Sequence, residues 1–185
     1  KYFFKPIGNN FGWQYEQHAC LITPNGDVMC FDNHHWGSKD KDKFLSAKNN
    51  FSRGVRYRIN TKDMTIEQVW EYGKDLGAEF FSPYISNVEF YNEGHYMVHS
   101  GGIAYNKDGE VSEGLGAFEP LLGGSLESIT IEVCDNKPMM RLHAKGNYYR
   151  AEKMKLYGEN ETLELGKGQI LGELGVTKEF DTEIP

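Results

Sequence analysis

Short alternating segments separated by turn residues constrain the fold of this chain more than any other feature. "HACLIT" and "DVMCFDN" flank "PNG", while "RGVRYRIN" and "TIEQVWEYG" flank "TKDM". Segments that alternate with period two and are bounded by Gly, Pro, Asn and Asp are typical of antiparallel hairpins. Gly26 can adopt the positive φ that closes the first turn. We therefore predict a four-stranded antiparallel unit over about residues 14–75.

A second set of strands is predicted after the connection "KDLGAEFFSPYIS", which we expect to hold a helical turn at most. The segment "VEFYNEGHYMVHSG" aligns with "LITPNGDVMCFDN" at the turn, so that Asn33 and His99 occupy comparable strand ends. "SITIEVCDNKPMMRLHA" supplies another hairpin. A second four-stranded unit over about residues 85–145 follows, with further strands expected in 146–175.

Repeated four-stranded antiparallel units are the sequence signature of β-propeller blades. We therefore predict an all-β fold in which residues 1–185 form a single β-propeller segment. Two such units do not close a propeller, which typically has about four to eight blades. The chain is then expected to be a piece of a longer protein, in agreement with its first residue, Lys1. A sandwich of two sheets is the alternative.

Charge and cysteine content narrow the classes of partner. The net charge of −7 repels nucleic acid and anionic membranes, and no segment approaches the roughly 18 apolar residues of a spanning helix, so neither nucleic acid nor a membrane is expected as a partner.

The cysteines Cys20, Cys30 and Cys134 have no metal-binding spacing and cannot all pair internally. Cys20 is predicted to face Cys30 across the first hairpin, either as a strained disulfide or as free thiols.

Four segments resemble a known family in their order along the chain: "QHACLITPNGDVMCFDN", "SRGVRYRINTKDMTIEQVWEYGKDLGAEFFSPYIS", "HYMVHSGGI" and "NYYRAEKM". Over about residues 12–155, the chain resembles the C-terminal part of bacterial arylsulfate sulfotransferases. The resemblance implies about the last third of a six-bladed propeller with its active site in the central channel. It also implies sulfuryl transfer from an aryl sulfate to a phenol through a sulfohistidine, without a nucleotide donor or another cofactor. The resemblance further implies a periplasmic, cell-envelope or secreted location.

The resemblance assigns catalytic roles to two histidines. His18, in "QH", matches a family position that binds sulfate and assists the leaving group. His99, in "VHSGG", is the predicted nucleophile, since a neutral imidazole is nucleophilic near pH 7. Tyr105 stands where some members carry a histidine, so it either orients the phenol or is itself the nucleophile.

The predicted anion site departs from the family pattern. The family's arginine follows "FDN", where this chain continues as "HHWGSK". We expect one of His34, His35 or Lys39 to replace that lost cation. A metal site formed by Asp32, His34 and His35 lacks a further ligand at convincing spacing, so no metal is predicted.

Further polar and aromatic residues complete the prediction. Asn33 is expected either to bind substrate or to serve as a turn residue, and Arg53 either to bind the anion or to act as a cap or salt-bridge partner. Trp13 and Trp36 lie close enough to the site in sequence to stack on a phenol. By contrast, the alternation in "RGVRYRIN" predicts that its other two arginines, Arg56 and Arg58, face solvent.

Phenols and aryl sulfates are the expected small-molecule partners. The remaining blades are expected to come from the same protein or from another copy of this chain, since open sheet edges need pairing. Two other functions stay open. One is a noncatalytic propeller module that binds a protein or glycan, and the other is an aryl sulfatase-like hydrolase in which water intercepts the sulfohistidine.

Overall fold

The protein is all-β in a computed structural model that describes residues 3–112 and 116–154. Within these residues, nine strands form two open sheets. The strands are β1 (Lys5–Ile7), β2 (His18–Ile22), β3 (Val28–Asp32), β4 (Arg53–Asn60), β5 (Thr65–Tyr72), β6 (Asn87–Asn92), β7 (His95–Tyr105), β8 (Ser125–Cys134) and β9 (Lys137–Lys145). Short 3₁₀ helices occupy Lys41–Lys43, Ala47–Asn49, Lys74–Phe80 and Gly116–Leu122.

The first sheet has the strand order β1-β5-β4-β3-β2. Its β2 to β5 portion is the predicted antiparallel meander, and Gly26 has φ 83° in the first turn. Strand β1, which was not predicted, adds to the outer edge by pairing in parallel with β5. The hairpin and turn patterns therefore predicted four of these strands correctly.

The second sheet has the strand order β6-β7-β8-β9, with every pair antiparallel. Asp135 and Asn136 close the last hairpin with φ of 48° and 60°, as its two-residue turn requires. The connection between the sheets holds the expected helical turn, Lys74–Phe80. The second hairpin set was thus also predicted correctly.

A shared apolar core lies between the two sheets. Its buried members are Met29, Phe31, Phe80, Val88, Tyr96, Val98, Ile103, Ile129, Ile131 and Val133. A second cluster of Cys30, Val55, Tyr57 and Ile66 covers the other face of the first sheet. Because successive strand residues point to opposite faces, β3 contributes to both clusters.

The prediction for Arg56 is wrong, because its side chain is buried between the sheets. Arg56 is 4% exposed, donates from Nε to Asp27 at 2.7 Å and from Nη1 to Tyr96 Oη at 2.9 Å, and also pairs with Glu93. Arg58, two residues further along, is exposed as predicted and contacts Asp27 at the rim. Alternation assigns both arginines to one face, but the second sheet covers that face only at Arg56.

The described residues up to Glu152 belong to one compact unit. Strands were predicted at 146–175, but most of this region lies outside the described residues, and residues 146–154 contain no strand.

Cys20 and Cys30 face each other as free thiols, and their hydrogen bond lowers the pKa of Cys20. In the described part of the chain, no helix has both the length and the apolar character needed to span a membrane.

We expect Arg56→Met to lower the free energy of unfolding by about 2–4 kcal/mol, since removing one member of a buried ion pair leaves Asp27 poorly compensated. Arg58→Met is the matched control, because it removes an exposed partner of the same carboxylate and should cost less than about 1 kcal/mol. Urea unfolding of both variants measures the difference. Equal losses would show that Arg56 does not join the sheets.

Candidate active site

His18 is held in a defined orientation by the buried side chain of Asn33. Asn33 follows β3, is fully buried, and donates from Nδ2 to the carbonyl oxygens of Ser82 at 2.8 Å and Ile85 at 3.0 Å. Its Oδ1 must therefore be the acceptor in the 2.7 Å contact with His18 Nδ1. Neutral His18 consequently carries its proton on Nδ1 and its lone pair on Nε2.

His18 Nε2 has no hydrogen-bond partner among residues 3–112 and 116–154. The ring lies at the first position of β2, next to a register shift, and is half-buried. An oriented imidazole with one unengaged nitrogen can accept a proton or, once protonated, donate one. The geometry therefore suits general acid–base chemistry.

A buried polar network connects Asn33 with the paired glycines of β7. We define this network as Asn33, Ser52, Ser82, Ser86, Gly101 and Gly102. Ser82 Oγ accepts from the Gly102 backbone at 3.0 Å, and Ser86 Oγ accepts from the Gly101 backbone at 2.9 Å. Serine side chains thus satisfy backbone groups at the bulge that interrupts β7 pairing.

His99 lies on β7 beside these glycines, with both ring nitrogens engaged. Its Nε2 lies 2.9 Å from the carbonyl oxygen of Tyr148, and its Nδ1 lies 2.8 Å from Thr130 Oγ1. A carbonyl only accepts, so Nε2 carries the proton and Nδ1 accepts from the threonine hydroxyl. Burial lowers the pKa of His99 below its ordinary value of 6.5, although the Tyr148 carbonyl opposes that effect. The ring is therefore neutral near pH 7.

The segment 148–151 covers His99. Tyr148 N donates to Gly101 O at 3.0 Å, and the Ala151 backbone exchanges two hydrogen bonds with the side chain of Asn87, which pairs with His99 across the strands. A Cβ atom at Gly101 would lie 2.7 Å from His99 Nε2, which explains why glycine occupies that position. The carbonyl of Tyr148 thus occupies the space in front of the predicted nucleophilic nitrogen.

Arg53 is occupied by protein acceptors. The side chain is 2% exposed and its Nε donates to Asp32 at 2.9 Å. Its terminal nitrogens bind Gln68, Glu71 and the backbone oxygens of residues 12 and 13. This arrangement matches the salt-bridge alternative for Arg53. Within the described residues, each guanidinium nitrogen already donates to a protein acceptor, so none is left for an anion.

The three candidates for the replacement cation lie in different environments. His34 is buried against Asp32 and stacks on Phe51 with ring centroids 4.1 Å apart. His35 and Lys39 instead line a pocket of about 970 Å³. The structure therefore brings His35 and Lys39 to one cavity and gives His34 a structural position. No group of three or more His, Cys, Asp or Glu side chains is arranged for a metal ion in the described part of the chain.

Tyr105 lies apart from the two histidines. It is six positions from His99 along β7, about 20 Å of extended strand. Burial and the nearby carboxylates of Glu127 and Glu79 raise its pKa, so its hydroxyl is protonated at neutral pH. Asn33 joins His18 to the buried network and the Tyr148 backbone joins His99 to Gly101 of that network, whereas Tyr105 is not brought to them.

A match to a known protein family covers most of the chain. Residues 1–157 match the family described as Arylsulfotransferase (ASST). The chain belongs to the arylsulfotransferase family. It is similar to Arylsulfate sulfotransferase AssT of Escherichia coli O6:H1 (strain CFT073), with 35% identity over 94 residues, 51% of this chain and 15% of that protein. It is also similar to AssT of Lelliottia amnigena, with 35% identity over 81 residues, 44% of this chain and 13% of that protein.

Several residues of this family member that contact His99 or belong to the buried network were not identified from sequence. Thr130 on β8 lies opposite His99 on β7. This register is known only from the observed strand pairing, so the sequence could not identify Thr130. Ser82, Ser86 and Tyr148 lie within "SPYIS" and "NYYRAEKM", segments that carried the family resemblance without a role for any single residue. Their contacts span 15 to 49 residues in sequence, beyond the reach of local patterns.

We expect the two imidazoles of this arylsulfotransferase-family chain to adopt opposite neutral tautomers. At pH 8, ¹⁵N NMR of the ring nitrogens should show His18 protonated on Nδ1 and His99 protonated on Nε2, because of the acceptors that each ring faces. Asn33→Leu removes the acceptor of His18 and should allow its Nε2–H form to appear while His99 stays unchanged. The same tautomer in both rings would contradict the assigned hydrogen bonds.

Proposed function

We propose that the protein is an arylsulfate sulfotransferase that moves a sulfuryl group from a phenolic sulfate ester to a phenol through a sulfohistidine. One observation carries this proposal: two imidazoles of opposite hydrogen-bond polarity are linked through one buried network and the backbone of Tyr148. Such a pair supplies a nucleophile and an acid–base group without a metal or a cofactor. Membership of the family and the names of its relatives support the same reaction class.

In the first half-reaction, His99 is the nucleophile. The Tyr148 carbonyl withdraws, the Nε2 proton passes to solvent and Nδ1 takes up a proton from solvent, so that the ring stays neutral and its Nδ1–H donates to Thr130 Oγ1. The Nε2 lone pair then forms an N–S bond as the S–O bond to the aryl group breaks. Protonated His18 donates its Nε2 proton to the departing phenolate oxygen. The products are a phenol, the sulfohistidine and neutral His18.

In the second half-reaction, neutral His18 accepts the proton of an incoming phenol. The phenol oxygen attacks sulfur as the N–S bond breaks, which restores His99 and yields the new aryl sulfate. Asn33 is a positioning residue in both steps, since it fixes the lone pair of His18 on Nε2. Lys39, the half-exposed cation at the adjoining pocket, is the proposed contact for sulfate oxygens.

The two sheets are proposed to be neighbouring propeller blades. Each contains a four-stranded antiparallel meander in sequence order, and the first strands of the two meanders contact each other. The network joins the end of β3 to the residues before β6 and to the paired glycines of β7, and this side of the sheets is proposed to face the channel. Further blades come from the rest of the protein or another copy of this chain, and the proposed location is the periplasm, the cell envelope or the exterior.

We expect the intact natural protein to release 4-nitrophenolate from 4-nitrophenyl sulfate in a phenol-dependent manner. His99→Gln should lower turnover at least about a thousandfold, and His18→Ala about a hundredfold, since the latter loses only acid–base assistance. His143→Ala is the matched control, because this exposed histidine of β9 pairs only with Glu127 in the described structure.

The products separate the alternatives. A new aryl sulfate is expected, whereas inorganic sulfate formed at the same rate with and without phenol would indicate the hydrolase. Full turnover in His99→Gln would remove His99 from the mechanism. No turnover by the natural protein with any phenol would contradict the enzyme proposal and favour the binding module.

A further inference from the structure

We propose that residues 148–151, which we call the strap, form a gate over His99, and that the side chain of Asn87 is the latch that holds this gate shut. The strap follows β9 and meets β7 at the first of the paired glycines. With the strap closed, His99 is 2% exposed and both of its ring nitrogens are engaged. The catalytic meaning of the gate rests on the proposed function, whereas its opening can be measured without turnover.

The closed strap blocks the nitrogen that sulfuryl transfer needs. Tyr148 O accepts the proton of His99 Nε2 at 2.9 Å, and an imidazole nitrogen that carries a proton has no lone pair for attack on sulfur. Thr130 Oγ1 lies 2.8 Å from the other ring nitrogen. The ring is therefore unreactive while the strap is closed, and any reaction at His99 requires the strap to open.

The residue under the strap is suited to the closed position. Tyr148 N donates to Gly101 O at 3.0 Å, which brings the strap directly onto β7. A Cβ atom at residue 101 would overlap the carbonyl oxygen of Tyr148. A side chain at this position would thus keep the strap from closing, and the glycine permits a contact that covers His99.

Asn87 holds the far end of the strap with two hydrogen bonds. Its Nδ2 donates to Ala151 O at 2.9 Å, and its Oδ1 accepts from Ala151 N at 3.0 Å. Asn87 is 1% exposed and lies opposite His99 in the pairing of β6 with β7. The latch is therefore anchored in the sheet beside the ring that the strap covers. One further hydrogen bond, from Ser86 N to Tyr149 O at 3.3 Å, joins the middle of the strap to the residue before β6.

The strap can open while the sheets stay folded. Tyr148 and Tyr149 are 48% and 63% exposed, and no strap residue belongs to either buried apolar cluster of the described chain. Segments that are held by a few hydrogen bonds and bury little apolar area open at a lower free energy than the whole domain. Gly146, between β9 and the strap, has φ 124°, a conformation that suits glycine at a hinge. Rotation about this glycine would withdraw the Tyr148 carbonyl while β7 and β8 keep their pairing.

The test is the rate at which diethyl pyrocarbonate modifies His99 in the intact natural protein, measured by peptide mass spectrometry. This reagent carbethoxylates an unprotonated imidazole nitrogen, so the exposed His143 is an internal standard. We expect His99 to react at least about tenfold more slowly than His143, since it reacts only when the strap is open. Asn87→Ala removes both latch bonds and should raise the His99 rate at least about fivefold with the His143 rate unchanged.

A second variant breaks the latch from the strap side. Ala151→Pro has no amide hydrogen for Asn87 Oδ1, so it should raise the His99 rate in the same direction while leaving Asn87 in place. Asn106→Ala is the matched control. This asparagine also accepts two backbone hydrogen bonds with its side chain, but in the turn that follows β7, and its loss should leave the His99 rate unchanged.

Amide hydrogen exchange separates a latch from a residue that merely stabilises the sheet. Asn87→Ala should speed exchange of the Tyr148 amide, which donates to β7 only when the strap is closed. The amides of the β7–β8 ladder should keep their natural exchange rates. Faster exchange across that ladder, to the same extent as at Tyr148, would overturn the latch.

A His99 rate equal to that of His143 in the natural protein would overturn the gate. Equal His99 rates in the natural protein and in folded Asn87→Ala and Ala151→Pro would do the same. The two proposals fail separately. A latch-dependent His99 rate in a protein without sulfuryl transfer would contradict the proposed function and leave the gate intact. Sulfuryl transfer through His99 with a latch-independent modification rate would overturn the gate and leave the proposed function intact.

Discussion

The buried amide of Asn33 is the interaction on which the candidate site depends. Its Nδ2 group binds carbonyl oxygens at residues 82 and 85, in the connection between the sheets, while its Oδ1 orients His18 at the start of the first sheet. An amide can satisfy donors and acceptors at once, which neither a carboxylate nor an apolar side chain can do there. Loss of its carboxamide would leave the Ile85 carbonyl unpaired, at a cost of about 1–3 kcal/mol, and would release the tautomer of His18, while Ser82 O would keep the Ser52 hydroxyl.

Asp32, the preceding residue, organises the opposite side of the same strand end. Its Oδ1 accepts from the backbone of Tyr15 at 2.9 Å and of His34 at 3.0 Å, and its Oδ2 accepts from Arg53. The arginine thereby neutralises a buried carboxylate, as buried charges require. One dipeptide thus fixes both His18 and the loop that follows β3. The arginine that the family resemblance implies after "FDN" has no match in this chain, and this loop carries Lys39 and exposed aromatic side chains instead.

The strands and hairpins were predictable because period-two alternation and turn residues are local properties. The burial and hydrogen-bond partners of individual polar residues were not predictable, because they depend on which face of a strand the other sheet covers. Arg56 is buried because Glu93 and Tyr96 reach it from the second sheet, 37 and 40 residues later. The importance of Asn33 likewise depends on partners 49 and 52 residues away. His18 and His99 were identifiable only through the family resemblance. No local sequence pattern indicates that Tyr148 covers His99, because the two residues are 49 positions apart.

The central claim is that His99 carries the sulfuryl group between donor and acceptor. The most direct measurement is mass spectrometry of the intact natural protein after a single exposure to 4-nitrophenyl sulfate without phenol, followed by peptide mapping under alkaline conditions that preserve an acid-labile N–S bond. The account predicts the gain of one sulfuryl group, located on His99 and removed on addition of phenol. A sulfuryl group on any other residue, or turnover without a sulfurylated protein, would contradict it.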